Sequence, residues 1–161
     1  MVEVLKPVLT LLHVLGWAAW LGLAIAEASA GVQVRKATDV GGRAVLARLW
    51  GRVGRIQIIA MAVALVFGYA LFAFDLATSP FGAQGFMQQR AFLFVHVMLG
   101  LGTVAGVLAL LAGRARGKAV AAVDAGDASA FSAPYKKAAM FSGMASLLLV
   151  ATLAVVFLRT L

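Results

Sequence analysis

Few residues in this chain are suited to chemistry, and the two histidines stand first among them. His13 and His96 are the only histidines in 161 residues, and each lies inside a long apolar run. An ionisable side chain within a membrane helix is costly to bury and is therefore a functional candidate by default. His13 stands nine residues into a run from 4 to 26, and His96 five residues into a run from 91 to 112. With four runs in the chain, these two cross in the same direction. At about 1.5 Å per helical residue their depths differ by about 6 Å. Two imidazoles on parallel helices are thus expected to face one interior point.

A b-type heme suits such a pair. Imidazole is a standard axial ligand of heme iron, and an apolar macrocycle suits the inside of a helical bundle. Gly16 and Gly100 each follow a histidine by about one turn, where a small residue leaves room for a flat porphyrin. Lys6 precedes His13 by seven residues and Arg90 precedes His96 by six. Helix rise puts each about 9–10 Å further out, where propionates would need cations. Trp17, Trp20, Tyr69, Phe92 and Phe94 are candidates for the pocket wall. Two other readings start from the same histidines. One is a hydrogen bond across helices with no ligand. The other is a copper site, because imidazole and thioether both bind copper. Met61, Met140 and Met144 fall toward the opposite end of the bundle, and Met98 points away from His96. Met87 can approach from a loop.

Other chemistries have little to stand on. There is no cysteine, which removes thiolate metal sites and thiol nucleophiles. The six acids are Glu3, Glu27, Asp39, Asp75, Asp124 and Asp127. Of these Asp75 comes nearest the outer end of a run, either as a proton carrier at a pocket mouth or as a helix-end residue among headgroups. No phosphate loop, nucleophile triad or dinucleotide fingerprint occurs.

The elements that position the histidines follow from composition. The chain is 63% hydrophobic and 12% charged, with a mean hydropathy of +1.00. A soluble domain is nearer half apolar with about a quarter of its residues charged, so this surface is expected to face lipid. Four runs, 4–26, 56–76, 91–112 and 138–158, each reach the roughly 20 residues needed to cross a bilayer. The expected fold is all-α: one domain over residues 1–161, an integral membrane bundle of four transmembrane helices. The first run is longer than a signal-peptide core, and Glu3 sits beside Lys6 ahead of it. It is read as a retained helix. The net charge of +8 reflects topology and contact with anionic lipid rather than nucleic-acid binding.

Eleven of the fourteen Lys and Arg residues fall in the first and third loops. Those loops are expected in the cytoplasm and both termini outside. Arg48, Arg52 and Arg55 share one helical face, which predicts the second helix extended beyond the membrane or an interfacial helix. Glu27 is expected to pair with one of these arginines. The third loop, 113–137, is rich in Ala, Gly, Ser and Asp and reads as flexible or weakly helical. Pro80, Gly82 and Gly85 mark turns in the second loop. Gly102 and Gly106 make a small-xxx-small pair of the kind that lets membrane helices approach closely.

His13-x6-Trp20-Leu21-Gly22, within Leu11-Leu12-His13-Val14-Leu15-Gly16-Trp17, resembles the opening helix of small bacterial membrane proteins of the copper resistance protein D family and the HemJ-type protoporphyrinogen oxidases. The layout is similar too: a basic first loop, four helices, and a basic residue, Arg90, heading the third. The resemblance implies handling of heme, porphyrin or copper, with His13 as a ligand. The oxidases carry a Lys where Arg90 stands and a histidine further into that helix than His96; the copper resistance proteins are longer. The expected function is a bis-histidine b-heme protein of the bacterial cytoplasmic membrane, in electron transfer or oxidation of a membrane-soluble substrate. The alternatives are a copper or small-solute transporter, or an accessory subunit of a respiratory complex. A homodimer or larger membrane complex is open to it.

Overall fold

Small residues at heptad spacing set how these helices meet. The computed structural model describes residues 2–80, 82–88 and 90–160; the side chains of 2, 3, 83, 86, 90, 91, 128 and 156–160 lie outside that description. The chain forms α1 (Val2–Lys36), α2 (Val40–Thr78), a short α3 (Gly82–Met87), α4 (Arg90–Asp124) and α5 (Ala128–Thr160). Four helices are long and apolar enough to cross a membrane. On α1 the buried positions are Gly16, Trp20, Ala24, Glu27, Gly31 and Val34; on α2 they include Ala47, Trp50, Gly54, Gln57, Met61, Ala64 and Gly68. Alternating steps of three and four residues keep one seam facing inward along a supercoiled bundle. α4 and α5 continue the pattern with Ala105, Ala109, Ala112, Ala119, Ala138 and Ala145.

Each helix runs well past the apolar windows. Residues 7–26, 56–74, 91–113 and 138–158 hold no Asp, Glu, Lys or Arg, and the antiparallel order aligns these windows side by side. Beyond them the bundle continues into a second core of Val34, Ala47, Trp50, Ala119, Phe131 and Ala138 under a basic surface. This end, which carries both hairpin turns, is called the basic end below; the other carries the chain termini.

Of the two readings of 113–137, flexible or weakly helical, the structure has the helical one and corrects the flexible one. The stretch is helix, turn and helix, because alanine favours helix and each end is capped. Gly126, at φ +70, closes α4: its N–H donates to the Val123 carbonyl at 3.0 Å, and the Asp127 N–H donates to the Ala122 carbonyl at 2.9 Å. This is a Schellman closure, which needs a residue tolerant of positive φ. Asp127 then caps α5, its Oδ1 accepting from the Ser129 and Ala130 backbone N–H groups at 3.0 Å each and from the Ser129 hydroxyl at 2.6 Å. Asp39 caps α2 through the Gly41 and Gly42 N–H groups. Arg43 donates to the Ala37 carbonyl just past the end of α1 at 2.6 Å. The second loop contains α3, where only turns were expected.

α1 packs chiefly on α2 and α4 on α5; the hairpins meet along α2–α4 and, more sparsely, along α1–α5. α1 and α2 approach closely at Gly16, where an added Cβ would sit 2.7 Å from the Ala64 nitrogen and 2.8 Å from its Cα. Gly102 and Gly106 receive Leu65 and Met61 of α2, so this pair serves packing within the chain.

Two outcomes test this account. Gly16→Val forces backbones apart and should lower stability in detergent by about 1–3 kcal/mol; Gly22→Val, in open space, should change it little. Equal losses would contradict the close approach. The Ser129 hydroxyl, followed by the Ala130 N–H, holds the Asp127 carboxyl below its ordinary value. Its contribution is therefore complete above the unfolded carboxylate range and lost as pH falls through the lowered folded value. Asp127→Asn, which caps without titrating, should flatten the acid limb of thermal stability against pH.

Candidate functional site

Both histidines lean on α2, one turn apart. His13 is half-buried, and its Nδ1 donates to the Ala64 carbonyl at 2.7 Å. Its ring occupies a notch at Gly68, where a Cβ would come within 2.7 Å of Cε1. Trp17 meets it edge-on at 6.2 Å. His96 is exposed; its Nδ1 donates to the Phe92 carbonyl at 2.9 Å, and its ring lies 3.8 Å from Phe92 and edge-on to Phe72 at 5.0 Å. A carbonyl only accepts, so Nδ1 carries a proton in both rings, and in the neutral ring Nε2 is the atom left with a lone pair. Histidines that ligate metals are commonly held this way. Gly68 and Phe72 are four residues apart on α2, about 6 Å by helix rise.

The remaining expected site residues divide. Lys6 is taken by Asp75, Nζ to Oδ1 2.7 Å, tying α1 to α2. The Arg90 side chain lies outside the described residues. Gly16 is filled by the Ala64 backbone, whereas Gly100 faces open space. Trp17 reaches α4 beside Gly102 and lies 5.6 Å from Trp20, the two rings tilted by 45°. Trp20 is fully buried, and its indole N–H has no hydrogen-bond partner among the described residues. α1 and α4 stand diagonally across the bundle with no backbone contact among the described residues. Leu99, not His96, shares the Gly68 notch with His13.

No group of three or more His, Cys, Asp or Glu side chains gathers among the described residues. A bare copper or zinc ion usually takes three or four protein ligands, with Met an added choice for copper. Heme brings four nitrogens of its own and asks the protein for one or two axial ligands. Two imidazoles are fewer donors than a bare ion usually takes and equal the number of axial ligands a heme can take.

A second constellation lies at the boundary between the two cores. Glu27, 1% exposed, is the meeting point of four helices. Its Oε1 accepts from the Trp50 indole N–H at 2.6 Å and from Arg116 Nε at 3.2 Å, with Arg116 Nη2 at 3.1 Å. Its Oε2 accepts from the Ser142 hydroxyl. The Arg116 guanidinium also lies 5.5 Å over the Trp50 ring. Two glycines make the room: Gly54 lies against the guanidinium and Gly31 beside the Trp50 indole nitrogen. The expected partner of Glu27 was an arginine of the first loop. Arg48 instead pairs with Asp124 at 3.0 Å, and Arg52 and Arg55 are exposed. The heptad places Glu27 inward, while those arginines fall on the outer face of α2. The signal that finds Arg116 is its position on the inner seam between Ala112 and Ala119.

No known protein family matches the chain, and no curated protein or solved structure is similar to it at a significant level.

Glu27→Gln should lower stability by roughly 3–5 kcal/mol, because it leaves a buried guanidinium without its counter-charge. Adding Arg116→Met should restore part of that loss. Thermal unfolding of the single and double variants in detergent measures the coupling, and additive effects would exclude a paired role.

Proposed function

We propose that this protein is a heme-binding protein of the bacterial cytoplasmic membrane, with its basic end in the cytoplasm and both termini outside. It would act in electron transfer or in oxidation of a membrane-soluble substrate. The observation that carries the reading is the shared arrangement of the two imidazoles: each donates its Nδ1–H to a main-chain carbonyl, which leaves Nε2 as the ligating atom of the neutral ring. The resemblance of the first helix to membrane proteins that handle heme, porphyrin or copper is compatible with this reading and with the copper rival. His13 and His96 would hold the iron, and the bound heme would supply a one-electron couple.

The chain's own residues contribute positioning. Ala64 and the Gly68 notch fix the rotation of the His13 ring, and Trp17 walls one edge of it. The Lys6–Asp75 pair puts a cation and an anion toward the chain termini, on the side where propionates would emerge. The open face at Gly100 supplies space one turn from His96. The exposure of His96 favours a second reading, in which a second copy or another subunit of a membrane complex covers that face. Copper or solute transport stays the rival should the imidazoles hold a bare ion.

The optical spectrum of protein expressed with heme supply tests the reading. A Soret band that shifts on dithionite reduction is expected, lost or moved in His13→Ala and altered in His96→Ala. A colourless protein would overturn the heme assignment. An unchanged spectrum in both variants would overturn the ligands, and stoichiometric copper would favour the rival.

A further inference from the structure

Four arginines of the basic end line a cleft that the histidine site does not use. It lies between α2 and α4, holds about 460 Å³, and is bordered by Arg48, Arg52, Arg55, Arg116 and Asp124, with Ile58 on its apolar side. A Cβ at Gly117, also on its border, would meet nothing within 4 Å.

The charges in it are unevenly matched. Arg48 is paired with Asp124, and Arg116 with Glu27. Arg52 and Arg55 are exposed and make no ion pair among the described residues, three positions apart on one face of α2. The buried Arg116 Nη2 has its ion pair with Glu27 but no hydrogen-bond partner among the described residues. The cleft therefore carries an excess of guanidinium, the group best shaped for two-point contact with a phosphate. Ile58 is the third residue of the uncharged window 56–74, so an apolar wall continues from the basic mouth toward the membrane-spanning part of the bundle. Basic pockets between membrane helices suit anionic headgroups.

We propose that this cleft binds a phosphate ester anion, of the kind a phospholipid headgroup carries, with Arg52 and Arg55 as its principal cations. The proposal rests on the membrane reading of the chain and is independent of heme ligation.

Native mass spectrometry of the full chain in detergent tests it, with phosphatidylglycerol, phosphatidylcholine and inorganic phosphate as probes. Phosphatidylglycerol should be held about tenfold or more tightly than phosphatidylcholine, and Arg52→Ala/Arg55→Ala should erase that preference. Arg35→Ala/Lys36→Ala, which removes the same charge away from the cleft, should change it less than about twofold. Binding of inorganic phosphate without phosphatidylglycerol, lost in the same cleft variant, would support the site with a soluble phosphate ester as its source. Equal losses in both paired variants, or no preference for either phosphate probe, would overturn the proposal. Because Arg52 and Arg55 are exposed, neither change should alter the fold or any heme absorbance, so failure here stands apart from failure of the heme reading.

Discussion

A carboxylate buried between two apolar cores must find its compensation within the bundle, and the register of the helices depends on that requirement. Glu27 takes donors from α2, α4 and α5 at one level. Sliding any one helix by a single turn would move its donor about 5.4 Å and leave a buried charge or an unpaired donor. The Ala- and Gly-rich seams above and below allow close approach but are similar from turn to turn. They fix distance better than register, so the polar level supplies the specificity that uniform small residues lack. Gly31 and Gly54 belong to the same device, since each stands where a side chain would collide with the indole or the guanidinium.

The two ends of the bundle carry different tasks. Toward the chain termini, the apolar windows hold the histidines, the Trp17–Trp20 pair and the open turn at Gly100. Toward the hairpin turns, the helices extend beyond those windows with an interior of their own and an arginine-rich exterior. Glu27 and Arg116 mark the border.

Much of this was legible in the sequence, and the misses share a cause. Hydropathy shows the four apolar windows because a long uncharged run stands out whatever its partners. It fades where charges enter the sequence, and so ended the first run at 26, before Glu27, and the third at 112, before Arg114. The heptad does not stop there: Trp20, Ala24, Glu27, Gly31 and Val34 keep one spacing. Reading that period through the charges would have turned Glu27 and Arg116 inward and lengthened both helices. Gly126 followed by Asp127 was a stop-and-start signal hidden in a segment whose composition suggested a loop. The histidine depths could be derived from run starts and helix rise. The Gly68 notch could not, because it depends on how α1 slides against α2. The short reach of Lys6 to Asp75 depends on the same contact.

The distance in sequence between Glu27 and Arg116, 89 residues, bears on how such a chain is made. The first hairpin holds the carboxylate and Trp50, while both Arg116 and Ser142 belong to the second. The first hairpin alone holds Glu27 by an indole N–H, without the counter-charge of Arg116. The second hairpin completes the set. Docking of the two halves is therefore an electrostatic necessity for the first one, and a nascent half-protein carries a mark of its own incompleteness.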